Sequence, residues 1–261
     1  MKLDEIKISE AIIKNYYDKL LKSLDVDVAI VGAGPAGLVC GYYLSKAKIN
    51  TVLFERKLSI GGGMWAGGMM FNEIVVQTQA KEILDEFNIH TKVYEKGYFL
   101  ADSIEAVCSL AAKAVKEGLH IFNCISCEDV MMRKNRITGL VLNWSAVELA
   151  NLHVDPLTIK AKFCVDATGH QAEVCNIVLR KLGPVLKTKT GRLMGEKSMW
   201  ADKGEEYIIK NSKEAYPGLY VAGMSANAVF GGPRMGPIFG GMLLSGRKVA
   251  QALIQRFNRG D

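Results

Sequence analysis

Residues 27–55, "DVAIVGAGPAGLVCGYYLSKAKINTVLFE", leave the chain few folds. "DVAIVG" is a short apolar β-rich run of the kind that forms a strand buried on both faces. "GAGPAG" follows at once, and "AGLVCGYYLSKA" has helical spacing. "NTVLFE" reads as a second strand that ends on an acidic residue. A GxGxxG pattern alone says little, but here it links a strand to a helix inside a βαβ unit and an acid closes the next strand.

Each glycine has its own reason. Gly32 allows the tight turn, Gly34 lets the backbone approach a pyrophosphate, and Gly37 lets helix and strand pack closely. The pyrophosphate then meets the free N–H groups at the helix N-terminus. Glu55 is placed to accept hydrogen bonds from adenosine ribose hydroxyls and would repel a 2′-phosphate, so NADP is disfavoured. A tight turn without a ligand is the plainer alternative.

The rest of the chain extends this unit. An amphipathic helix is predicted over 9–24 within an N-terminal helical segment 1–24, with Ser9 as its cap. Residues 61–72, "GGGMWAGGMMFN", are too glycine-rich for a helix interior and read as a loop against a ligand. Helices are expected over 78–89 and 103–117, then two or three antiparallel strands around "RKNR". "AKFCVDATG" is a further strand, "GLYVAGMSAN" a last buried strand, and a glycine-rich loop leads into a C-terminal helix. The predicted fold is α/β: a Rossmann-like FAD/NAD(P)-binding doubly wound sheet over 1–261 as one domain, with an antiparallel β insertion around 119–165.

Composition fits a globular protein, with 49% hydrophobic residues, 26 glycines and only 6 prolines. The net charge of +6 is scattered, which favours an anionic small molecule over nucleic acid. Neither a signal peptide nor a long apolar stretch is recognisable, so no membrane association and a cytoplasmic location are expected. The six cysteines are read mainly as buried thiols; Cys124 and Cys127 form a single CxxC with no second pair to complete a zinc site.

Two of the four histidines, His153 and His170, flank Asp155 in "NLHVDPLTIKAKFCVDATGH". A metal site, an acid/base pair or two polar strand ends are all compatible with that stretch. An Asp before Pro often forms a turn, and His170 after Gly169 could cap the next helix. On a strand, His153 and Asp155 would share a face.

The layout of fingerprint, antiparallel region, "DATG" and late "LYVAG" resembles the flavoproteins with two dinucleotide-binding domains. Many of those end the last strand in Gly-Asp, whereas here the slot is Gly223–Met224, which points away from FAD. Four stretches, "GAGPAGL", "ERKLSIGGGMWAGGMMFN", "VDP…DATGH" and "RMGPIFGGMLLSG", together resemble the thiamine thiazole synthases over roughly residues 10–256. The resemblance implies synthesis of an adenylated thiazole, adenosine diphosphate 5-(2-hydroxyethyl)-4-methylthiazole-2-carboxylate, from NAD, glycine and a sulfur source, with NAD consumed as a substrate.

It also implies roles for individual residues. Gly32, Gly34, Ala36 and Gly37 lie against the dinucleotide, Glu55 and Arg56 hold the adenosine ribose, and Gly63 supplies close backbone. Cys127 meets the adenine through its backbone, and His153, Val154 and Met224 also contact the nucleotide. Arg234 binds the glycine carboxylate, to which its planar fork is matched. Fungal and plant members carry a sulfur-donating Cys where this chain has His153. The archaeal branch, which takes free sulfide and turns over repeatedly, is the better match. The same resemblance places Fe(II) on Asp155 and His170, with His153 nearby as a candidate catalytic group, and implies a homo-oligomer, commonly an octamer, with sites near subunit contacts. A flavin-dependent oxidoreductase, a ribose-1,5-bisphosphate isomerase-like enzyme and a non-catalytic dinucleotide sensor are the alternatives.

Overall fold

The computed structural model describes residues 2–260; Met1 and Asp261, the two ends of the predicted span, lie outside the described residues. The first helix, α1, runs Glu5–Lys22 and is capped by Asp4, whose Oδ1 accepts from the backbone N–H groups of Ile6 and Lys7 at 2.9 and 3.0 Å. Ser9 is therefore not the cap; its hydroxyl donates back to the Glu5 carbonyl at 3.0 Å. The first turn, Glu5–Ile8, alternates charged and apolar residues rather than following a helical period, so periodicity alone begins the helix too late, whereas a carboxylate facing free N–H groups begins it where it starts.

The βαβ unit follows as β1 (Asp25–Val31), α2 (Pro35–Lys46) and β2 (Thr51–Glu55), with Val28 opposite Thr51 in a parallel pair. Next come β3 (Glu73–Gln77), α3 (Thr78–Glu86), β4 (Lys92–Glu95) and β5 (Tyr98–Asp102). The three strands form a small antiparallel sheet, β3-β5-β4, that the sequence reading does not contain. After α4 (Ser103–Lys116), β6 (His120–Asn123) pairs parallel with β2. The β7 (Ile125–Arg133) and β8 (Arg136–Trp144) hairpin turns at Lys134–Asn135, inside "RKNR". Beyond α5 (Ser145–Leu149), β9 (Leu157–Asp166) pairs antiparallel with β8 and parallel with β1. The antiparallel insertion is thus β7, β8 and one edge of β9, while β6 belongs to the parallel layer.

The chain closes with α6 (Glu173–Leu182), α7 (Ala201–Asn211), β10 (Glu214–Tyr216), β11 (Leu219–Val221), α8 (Met224–Phe230) and α9 (Gly240–Asn258). The "MSAN" of the predicted last strand is the first turn of α8, because β11 ends at Val221 and Gly223, at φ +67°, turns the chain. The main path is β10-β11-β9-β1-β2-β6. Alternate β1 residues enter different cores. Val28 and Ile30 pack with Leu38 of α2, Leu110 of α4 and Leu243 of α9, while Ala29 and Val31 pack with Val174 and Val178 of α6. Burial on both faces explains why β1 reads as a continuous apolar run.

Close backbone packing fixes where α2 begins. A Cβ on Gly37 would lie 2.0 Å from the Gly32 carbonyl oxygen, and one on Gly246 of α9 would lie 2.3 Å from that of Ala36. Parallel strands β2, β1, β9 and β11 all end at this edge, the place where open α/β sheets bind ligands.

A buried carboxyl lies close to that edge. Glu205 of α7 accepts from the Gln77 side-chain amide at 2.6 Å beside the start of α9, and burial pushes its carboxyl up from 4.5 to about 7. A carboxyl raised by folding contributes stability that is fully present below its unfolded value and is lost as pH rises through about 7. The rise corresponds to at most about 3.4 kcal/mol. Glu205→Gln is expected to flatten the fall in thermal stability between pH 5 and 8, measured by calorimetry at several pH values. An unchanged slope would show that Glu205 does not titrate there.

Candidate active site

A cavity of about 490 Å³ opens at the carboxyl ends of these strands. Its floor is the loop from β1 into α2. Gly32 has φ +101°, and a Cβ there would lie 2.4 Å from the Ala167 carbonyl oxygen. A Cβ on Gly34 would meet nothing within 4 Å, so the backbone faces open space beside the α2 N-terminus. That is the arrangement an anionic group needs to approach free N–H donors.

Glu55 ends β2 at the wall. Its Oε2 accepts from the Ala33 N–H and its Oε1 from the Lys57 N–H, each at 2.9 Å, so this carboxylate also ties the phosphate-type loop to the neighbouring strand. Arg56 reaches across to Glu173 at 2.5 Å and to Gln171 at 3.4 Å. Burial pushes the Glu173 carboxyl up, and the Arg56 guanidinium draws it back.

Gly32, Gly34, Ala36, Glu55 and Arg56 therefore line one cavity, together with Gly63, Cys127, His170, Met224 and Arg234. Gly37 lies behind the wall, packed beneath the Gly32 turn. His153, Val154 and Asp155 are not part of the lining. They lie in an exposed loop between α5 and β9, not on a strand, so the shared face expected of His153 and Asp155 does not arise. Pro156 has no N–H and restricts the residue before it, so β9 starts only at Leu157.

His170 is on a short 3₁₀ turn, Gly169–Gln171, at the end of "DATG". It does not cap α6. That task falls to Thr168, whose hydroxyl oxygen accepts from the Glu173 N–H at 2.7 Å, and to Asp166, whose Oδ2 accepts from the Cys175 N–H at 3.0 Å. Asp166 is fully buried and its Oδ1 also accepts from the Thr168 N–H, the Thr168 hydroxyl and the Ser225 hydroxyl, at 3.1, 2.6 and 3.1 Å. Ser225 in turn accepts from the Gly169 N–H at 3.0 Å. This network fixes the turn that carries His170.

Glu196, which carries no signature in the sequence, lies beside the cavity with its Oε1 2.6 Å from His170 Nδ1 and its Oε2 3.7 Å from Arg234 Nε. A histidine and a carboxylate suit Fe(II). Among the described residues, however, no group of three or more His, Cys, Asp or Glu side chains is placed to hold a metal ion. A metal on His170 would need further donors from a bound ligand or from a second copy of the chain.

Cys127 is the one cysteine in the lining, and burial pushes its thiol well above the ordinary range. Cys40, Cys164 and Cys175 are fully buried and also raised by burial. Cys124 adopts φ +58° between β6 and β7, and all six cysteines are free. Among the described residues no helix is long and apolar enough to cross a membrane.

Residues 9–239 match the Thi4 family. A thiamine thiazole synthase of Methanothermobacter thermautotrophicus is 60% identical over 256 residues, which cover 98% of this chain and 99% of that protein. One from Pyrococcus abyssi is 52% identical, again over 98% of this chain and 99% of the relative. The crystal structure of Thermovibrio ammonificans THI4 superposes with a TM-score of 0.97 at 54% identity, covering 98% of this chain and all of that one.

Proposed function

The chain belongs to the Thi4 family, enzymes of thiamine thiazole biosynthesis, and on that premise we propose that it makes the adenylated thiazole from NAD, glycine and free sulfide, with Fe(II). The observation that carries the reading is the cavity whose lining joins a phosphate-type loop, the Glu55–Arg56 acid and base, and His170, Met224 and Arg234. Membership of this family displaces the flavin oxidoreductase, the isomerase and the sensor as descriptions of the main activity.

In this proposal NAD lies along the wall. Backbone N–H groups of Gly34 and Ala36 at the α2 N-terminus hold the pyrophosphate, and Glu55 and Arg56 hold the adenosine ribose. The Cys127 backbone meets the adenine, and Gly63 closes over the dinucleotide. Once nicotinamide leaves and the ribose opens and isomerises, Arg234 presents glycine through its carboxylate and Met224 packs against the reacting end. A bound Fe(II) would supply Lewis acidity that favours deprotonated sulfide as the nucleophile. His170 would hold it together with Asp155. Because the exposed 153–155 loop is outside this chain's own cavity, we place Asp155, His153 and Val154 at the site of a neighbouring copy.

An oligomer is supported by α1, which buries none of its side chains fully and exposes Ile6, Ile12, Ile13 and Tyr17. An octamer and a cytoplasmic location are proposed with it. Free sulfide as the donor is supported by the cysteines, since the thiol in the cavity lining, that of Cys127, is half-buried and raised by its surroundings. The test is anaerobic incubation with NAD, glycine, sulfide and Fe(II), followed by mass spectrometry. The adenylated thiazole is expected, and its loss on chelation; a product that forms equally in chelator would remove the metal from the scheme.

A further inference from the structure

Glu196 touches both functional ends of the reacting half of the cavity, yet is not part of its wall. Its side chain is 15% exposed, whereas those of its partners His170 and Arg234 are 54% and 60% exposed. The more buried group is held by the frame, and the exposed groups lean on it. The frame is explicit in the backbone. The N–H groups of Met194 and Gly195 donate to the carbonyls of Val229 and Ala228, and that of Lys197 donates to Gly232, each at 3.0 Å. The Arg234 N–H donates back to the Lys197 carbonyl at 3.1 Å. Residues 194–197 thus run beside the segment that leads to Arg234, with Glu196 projecting from a strip bonded on both sides.

We infer that Glu196 is a positioning residue that sets the His170 ring and the Arg234 guanidinium with one carboxylate. This rests on the proposed roles of His170 and Arg234. An ionised carboxylate only accepts, so His170 Nδ1 is the donor at 2.6 Å and Nε2 of the neutral ring is the nitrogen left with a lone pair. The bond is short for a nitrogen donor, as charge-assisted bonds are. Metal-binding histidines characteristically give their second nitrogen to such a partner, which fixes tautomer and ring plane. On the other side the contact at 3.7 Å uses Nε, which leaves the terminal nitrogens of Arg234 for a substrate carboxylate. The two ends are therefore coupled: a displacement of Glu196 disturbs both the metal ligand and the glycine clamp.

The test compares E196A and E196Q with the wild type, as full-length assembled protein. Fe(II) affinity is titrated anaerobically after NAD and glycine are added, and NAD affinity, glycine KM and kcat are measured alongside thermal stability. E196A is expected to weaken Fe(II) by about 10–100-fold and to raise glycine KM, with NAD affinity and melting temperature unchanged. E196Q keeps an acceptor for Nδ1–H, so it is expected to recover most of the Fe(II) affinity but not the glycine KM, because the charge facing Arg234 is gone. Unchanged Fe(II) affinity and glycine KM in E196A would overturn the inference. So would a general loss that includes NAD binding and stability, since that marks a merely structural carboxylate. If the wild type itself binds no Fe(II), the metal reading fails. Positioning is then decided by crystal structures of ligand-free E196A and wild type: a displaced His170 ring and Arg234 side chain support it, and unmoved ones refute it.

Discussion

His170→Ala is expected to abolish iron-dependent thiazole formation while NAD binding stays at the wild-type level. His170 is the one histidine in the cavity lining, on a turn held by the Asp166–Ser225–Gly169 network rather than by the imidazole itself. With 54% of its side chain exposed, it contributes little to the core, so its removal leaves the fold and the dinucleotide wall in place. Loss of a partner that only supports a metal ligand costs about 10–100-fold; loss of the ligand itself should exceed that. Turnover with saturating Fe(II), set beside an NAD binding isotherm, measures both quantities. Turnover that survives with normal iron dependence would remove His170 from the metal site.

Asp166→Ala is expected to cost about 2–6 kcal/mol of stability, because the buried Cys175 N–H and the part-buried Thr168 hydroxyl lose their acceptor and each orphaned group costs about 1–3 kcal/mol. The Ser225 hydroxyl keeps the Gly169 carbonyl at 3.0 Å as an acceptor, so those two groups carry the cost. That is a large share of the roughly 5–15 kcal/mol that holds a domain of ordinary stability together. Denaturant unfolding measures it. Asp166→Asn keeps one acceptor oxygen and should fall between the wild type and Asp166→Ala. A loss below about 1 kcal/mol for Asp166→Ala would mean that water or a shifted side chain satisfies these donors. The same substitution should loosen the His170 turn, so activity is expected to fall even at temperatures where the fold survives.

The sequence makes the dinucleotide edge legible because each of its constraints is local. "DVAIVGAGPAG" announces a doubly buried strand and a turn that only glycine can make, and Gly32, Gly37 and Glu55 make the backbone contacts such a turn requires. Constraints set by tertiary packing were not legible. Strand β4 reads "KVYE" and is exposed throughout, so no apolar alternation marks the β3-β5-β4 sheet. The "MSAN" turn follows a buried strand closely enough to be read as part of it, and only the positive φ of Gly223 separates them. Glu196 stands alone in "RLMGEKSMW" at no informative spacing, and its meaning comes from residues far away in the chain. The 153–155 loop has recognisable residue types, but its place relative to the cavity is decided by packing beyond one chain in the proposed arrangement.

His153 still carries the sharpest chemical consequence, because an imidazole has no sulfur to give and the thiol at the cavity is held well above the ordinary range. The most direct measurement is the number of adenylated thiazole molecules formed per chain, with NAD, glycine and Fe(II) in excess, with and without added sulfide, under anaerobic conditions. More than one product per chain with sulfide, and none without it, is expected. Product that forms without added sulfide and stops at one per chain would contradict this, because the protein would then be the sulfur donor.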